Sequence, residues 1–137
     1  MTRIAVVGSS GKHWTPNTTT KAVRFIHYDI FRKLVDWDIN IPMWKSITLI
    51  SGGATGIDSY AEVVADALGI PKRIFKADHP SWNGTVGKRG YKQRNIQIAE
   101  DCDILYCIDT KDRAWSGGRW TREYAKELGK ETHLKFI

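Results

Sequence analysis

No stretch of this 137-residue chain is apolar for long enough to cross a membrane, because its longest hydrophobic runs are only strand-sized. There are two cysteines, Cys102 and Cys107, and their spacing is not the CxxC of a redox or zinc motif. One is expected to end a helix and the other to lie in a strand, both as buried thiols. The four histidines, His13, His27, His79 and His133, have no metal-ligand spacing, so neither a metal nor a cofactor is expected. Met1-Thr2-Arg3-Ile4 runs straight into an apolar segment without the layout of a signal peptide, which makes the cytoplasm the default location. Repeats, low-complexity tracts and linkers are missing too, as is a GxGxxG after the first apolar run, which argues against an ordinary dinucleotide dehydrogenase.

What is present is a set of glycine loops, each at the end of an apolar run. Ile47-Thr48-Leu49-Ile50 leads into Ser51-Gly52-Gly53-Ala54-Thr55-Gly56-Ile57-Asp58. Ile104-Leu105-Tyr106-Cys107-Ile108 leads on to Ser116-Gly117-Gly118, and Ile4-Ala5-Val6-Val7 runs into Gly8-Ser9-Ser10-Gly11. A strand, a glycine turn and a helix present free backbone N–H groups to an anion, and glycine lets the ligand approach without a Cβ in the way. In an open parallel sheet such loops gather at the carboxyl edge, where ligands bind. A phosphate or a nucleotide is the expected ligand. The alternative for any one loop is a plain tight turn into a capped helix.

The rest of the pattern alternates strand and helix. Strands are expected at 3–7, 46–50, 73–76, 104–108 and 132–136. Helices are expected at about 19–36 (capped by Asn17 or Thr18), 57–68, about 90–101 and about 118–128. The segment 36–45 is a connection. The loop 77–90 is long for a compact α/β unit, which marks it as functional. Continuous apolar strands imply a sheet covered on both faces. The expected fold is a single-domain α/β Rossmann-like three-layer sandwich over 1–137, with a mostly parallel sheet of about five strands.

The formal net charge of +6 suits phosphate-bearing partners, as either a solvated basic surface or a weak, non-specific nucleic-acid footprint. Trp14, Trp82, Trp115 and Trp120 fall in or beside loops on the proposed edge. Trp82 and Trp115 are candidates to stack on a base, the alternative being core or interface packing.

In this order the motifs resemble the SLOG superfamily, which includes Lonely Guy-type nucleotide phosphoribohydrolases, DprA and small YspA-like proteins. The YspA-like pattern is similar to Ser51-Gly52-Gly53-Ala54-x-Gly56-x-Asp58, Ala77-Asp78, Arg94-Asn95, Asp103, Ser116-Gly117-Gly118-x-Trp120 and Ala125-Lys126-x-Leu128-Gly129-Lys130. Arg94, Asp103 and the loop Ser116–Thr121 resemble the phosphoribohydrolase pattern, with Ser116 in place of its proline and Trp120 in place of a glycine. Its catalytic glutamate would fall on Tyr124, one residue after Glu123, and Thr110–Trp115 are additional residues in that loop. The resemblance implies a SLOG-like nucleotide-binding domain for a nucleotide or an ADP-ribose-like molecule, with possible cleavage of an N-glycosidic bond as a phosphoribohydrolase. Two other readings stay open: a non-catalytic sensor or sequestering protein, and a DprA-like single-stranded DNA binder. A homodimer is implied as well, with Phe31 and Trp37 as candidate surface.

Glycosidic cleavage needs a held phosphate and a carboxylate beside the forming oxocarbenium. Arg94, Glu123 and Asp78 are the catalytic candidates. Arg94 would pair with phosphate or assist the leaving group, or else serve as an ordinary helix ion pair. Asp78 would bind ribose hydroxyls or close a turn. The phosphate-binding candidates are Gly8, Ser9, Ser10, Gly52, Gly53, Thr55, Gly56, Asp58, Asn95, Ser116, Gly117, Gly118 and Thr121. Asp58 is alternatively a helix cap.

Overall fold

The computed structural model describes residues 2–34 and 47–137. The expected connection at 36–45, with Trp37 and Trp44, lies outside them. Five parallel strands form one sheet in the order β3-β2-β1-β4-β5. They are β1 (Thr2–Gly8), β2 (Ile47–Ser51), β3 (Lys72–Ile74), β4 (Ile104–Asp109) and β5 (Glu131–Phe136). Chain order reverses across β1, so the loops after β1, β2 and β4 lie side by side at one edge. That is the switch point at which open α/β sheets bind ligands.

Helices cover both faces. α1 (Pro16–Arg24) continues through a π-helical stretch, Phe25–Phe31, into a last turn, Arg32–Leu34. α2 is Ile57–Leu68, α3 is Tyr91–Asp101 and α4 is Gly117–Glu127. Alternation along β1 divides the core. Ile4 and Val6 pack with Ile26, Ile30, Phe31, Ile57 and Ala61 on one face, while Ala5 and Val7 pack with Ile98, Ala99, Leu105 and Ala125 on the other. Each large apolar side chain buried this way contributes about 1.5–3 kcal/mol.

Some boundaries differ from the sequence reading for identifiable reasons. α1 starts at Pro16, because Thr15 and Thr18 form a reciprocal capping box and proline fits the first helical turn. The cap is therefore Thr15, not Asn17 or Thr18. The wider i→i+5 turns of the π stretch direct Ile26, Ile30 and Phe31 all inward. Phe31 is fully buried and is not available as dimer surface. α2 matches the expected helix and stops at Gly69, whose φ of 71° is the left-handed helix terminus glycine favours. Cys102 ends α3 and Cys107 lies in β4, both buried. No helix among the described residues is long and apolar enough to span a membrane, and no cluster of metal-ligating side chains occurs among them.

Candidate functional site

The three loops meet at the carboxyl edge of the sheet and form a cleft of about 800 Å³. Their contacts are polar and buried. Asp109, fully buried at the end of β4, accepts from Ser9 Oγ at 2.7 Å and, through its other oxygen, from Ser116 Oγ at 2.8 Å and Arg119 Nε at 3.0 Å. One carboxylate thus ties the β1 loop to the N-terminus of α4. The β1 and β2 loops are joined by Gly11 N–H donating to Thr55 Oγ1 at 3.3 Å. Backbone lies on backbone at two glycines. A Cβ on Gly56 (φ 86°) would come 2.4 Å from Ser9 O, and one on Gly118 would come 2.6 Å from Gly8 N. Neither position has room for a side chain.

Arg94 lies in the wall of the cleft, nearly buried. Its Nη1 donates to Gly52 O at 2.7 Å and its Nε to Asn95 Oδ1 at 2.8 Å, and its guanidinium sits 5.5 Å from the Tyr91 ring centre. Asp58 faces the same spot. A Cβ on Gly52 would lie 2.7 Å from Arg94 Nη1 and 2.8 Å from Asp58 Oδ2. Glycine is therefore what allows the two charged groups to converge. Asp58 does not cap its helix, whose cap position is Gly56. It accepts from Ala54 N–H at 3.2 Å inside the glycine loop. Burial pushes its carboxyl up to about 6, against the opposing pull of Arg94 and the Ala54 N–H.

Most of the residues expected at a site are brought together here. Gly8, Ser9, Ser10, Gly52, Gly53, Thr55, Asp58, Arg94, Asn95, Ser116, Gly117, Gly118 and Thr121 line the cleft, with Trp82 and Trp115 at its mouth. Gly56 is packed behind it. Several polar groups serve the scaffold instead of facing a ligand. The Ser9 and Ser116 hydroxyl protons go to Asp109, and the Thr121 hydroxyl donates to Gly117 O at 2.8 Å. The N–H groups of Gly117 and Gly118, at the start of α4, have no acceptor among the described residues and carry the positive end of the helix dipole.

Two expected acids are not in the cleft. Asp78 is exposed and closes the 77–90 loop on itself, accepting from Arg89 N–H at 3.0 Å. That backbone bond, with the guanidinium of Arg89, holds its carboxyl below the usual range. Glu123 points outward and pairs with Arg122 at 2.7 Å, while Tyr124 stacks on Trp120. Sequence reasoning missed Asp109, although it ends an apolar run at the ligand edge. It also missed Lys12, Lys76 and Arg113, which with Arg94 make the cleft strongly cationic against a single acidic side chain, Asp58.

The aromatic mouth is a built cluster. Trp82 meets Trp115 edge-on at 6.0 Å and Trp120 at 5.1 Å. Trp115 remains 56% exposed, which leaves a face available for contact. It ends the additional segment 110–115, and Arg119 fastens that segment by donating to the carbonyls of Arg113 and Ala114. Trp14 is different, being buried in the core with its indole N–H donating to Ser9 O at 3.0 Å.

No family model and no curated protein matches the chain. Solved structures share its fold, two of them as follows. The DNA processing protein A (DprA) from Streptococcus pneumoniae superposes with a TM-score of 0.66 at 20% identity, over 97% of this chain and 50% of DprA. The structural-genomics target TM1055 superposes with a TM-score of 0.66 at 15% identity, over 96% of this chain and 72% of its own. The chain thus spans about half the length of DprA. These likenesses show a shared Rossmann-like α/β fold.

Proposed function

We propose that this protein binds a nucleotide or a nucleotide-derived molecule, with phosphate against the 52–55 and 116–118 loops and the base toward Trp82 and Trp115. The observation that carries this reading is the convergence of three glycine loops, four cations and an aromatic mouth on one cleft at the switch point of the sheet. Binding without turnover is the reading favoured by the outward positions of Glu123 and Asp78. Hydrolysis of an N-glycosidic bond in this cleft would fall instead to Arg94 and Asp58. A cytoplasmic location and a homodimer belong to the same proposal, the dimer using surfaces other than Phe31.

Calorimetry of the full chain against a panel of nucleotides tests the proposal. Gly117→Val is the informative variant, since a Cβ there meets only Asn95 Nδ2 at 3.7 Å and Trp82 Cζ3 at 3.8 Å. It should fold and lose nucleotide binding. Gly53→Val is a poorer choice, because a φ of 69° strains any branched side chain. Arg94→Ala should weaken binding by about tenfold or more, the scale of a lost charge-assisted hydrogen bond. Unchanged affinity in a folded Gly117→Val protein refutes the site. Binding to single-stranded DNA that survives about 0.3 M salt, with no mononucleotide bound, would favour the DNA-binding reading that DprA's name suggests.

A further inference from the structure

The molecule has a second concavity that the cleft does not use. It is an open concavity of about 470 Å³ between α1 with its π stretch, Lys111 and the end of β5. Four cations line it: Lys21, Arg24, Lys111 and Lys135. None of them forms an ion pair among the described residues. The acidic groups in the wall are Asp29, engaged by Lys33 at 3.6 Å, and the α-carboxylate of Ile137, so the four cations outnumber the anions there. Like charges gathered in one hollow repel each other, and an anion there would relieve that repulsion.

The walls between the cations are aromatic. Lys135 Nζ sits 5.4 Å from the Phe25 ring centre, and the guanidinium of Arg119 lies 4.6 Å from that of Phe136. Tyr28 stacks on His27 at 4.3 Å and is 56% exposed, so a ring face is available at the rim. An aromatic face beside unpaired cations suits a base attached to phosphates.

Charge and size narrow the ligand further. A mononucleotide phosphate carries only about two charges. A single nucleic-acid strand carries one per nucleotide, and a hollow of this size seats only a nucleotide or two. A nucleoside triphosphate brings about four charges on one compact group, which matches four cations in a ligand-sized hollow. The geometry points to a second, regulatory-type site for a nucleotide bearing three or more phosphate charges, with its base on Tyr28 and its phosphates among Lys21, Arg24, Lys111 and Lys135. This site is independent of the ligand proposed for the glycine-loop cleft.

The test is calorimetry on the full chain in EDTA with ATP, GTP, inorganic tripolyphosphate, AMP and a thymidine 20-mer. It compares the parent with Lys21→Glu/Lys135→Glu, with the milder Arg24→Gln, and with Gly117→Val, which blocks the cleft alone. The charge-reversed protein should lose at least about tenfold in triphosphate affinity, and Gly117→Val should keep it. Tyr28→Ala should weaken ATP by about fivefold and leave tripolyphosphate unchanged. Equal triphosphate affinity in the parent, the charge-reversed protein and Arg24→Gln overturns the proposal. A thymidine 20-mer that binds more tightly than ATP, through the same lysines, overturns it as well.

Discussion

Replacing Asp58 by asparagine is expected to stabilise the protein, by an amount that depends on pH. The carboxyl rises from 3.8 to about 6 because burial outweighs Arg94 and the Ala54 N–H. At about 1.4 kcal/mol per pKa unit, that rise corresponds to about 3 kcal/mol. The sign follows from which state binds the proton first. As pH falls through about 6, the folded protein takes up a proton that the unfolded chain accepts only near 3.8. Folding is therefore penalised above about pH 6, and the penalty is relieved as pH falls toward 4. Asparagine keeps an oxygen for the Ala54 N–H and carries no charge at any pH. Urea unfolding of both proteins between about pH 4 and pH 7.5 isolates the effect, because the remaining carboxylates cancel in the difference. Asp58→Asn should be more stable by up to about 3 kcal/mol at the upper end, with the advantage gone at the lower. A difference that is flat across this window, or that grows toward acid, would refute the argument. A buried carboxyl that costs stability at neutral pH, placed in the wall of a cleft, is the pattern expected of a group kept for function.

The other predictions follow from the same geometry. Asp109→Ala leaves Arg119 and two serine hydroxyls without their buried partner and should cost about 3–5 kcal/mol, read from the urea midpoint. A loss below about 1 kcal/mol would mean that the carboxylate does not tie the loops together. Glu123→Gln touches only an exposed ion pair and should change stability by no more than about 0.5 kcal/mol. Its nucleotide affinity should be that of the parent, and a clear loss by calorimetry would bring Glu123 into the site.

The fold was legible where apolar runs were continuous and punctuated. β1, β2, β4 and α2 lie close to where Ile4–Val7, Ile47–Ile50, Ile104–Ile108 and Ile57–Leu68 placed them. The signal for the start of α1 was present in Thr15-Pro16-Asn17-Thr18 but competed with a cap read two or three residues later. The π stretch has no signature in helical periodicity, since Ile26 and Ile30 still fall four apart, as in an ordinary α-helix. The loops were legible because strand ends point to the carboxyl edge of the sheet, whereas Arg94, on α3, was singled out by the family resemblance. Glu123 was misplaced because a linear motif carries no side-chain direction. On α4, Thr121 and Ala125 lie one turn apart and face inward, so a residue midway between them must face away. Asp109 was overlooked because the apolar run ends one residue earlier, at Ile108.

The division of labour within the cleft has a consequence for selectivity. The Ser9, Ser116 and Thr121 hydroxyls are occupied by bonds within the protein, so the loops are braced before any ligand arrives. What remains for the ligand is backbone N–H groups, cations and ring faces. The first two recognise phosphate by shape and charge and do not distinguish one base from another. Ring faces are equally tolerant, because every base has one. Discrimination among bases requires a group that reads an edge. The oriented amide in the cleft wall, Asn95, does not supply it: Arg94 Nε donates to its Oδ1 at 2.8 Å, and its Nδ2 lies beside Gly117, in the loop assigned to phosphate. On the proposed nucleotide-binding reading, selectivity in this cleft rests on phosphate more than on the base, which suits recognition of a class of nucleotides more than a single member of it.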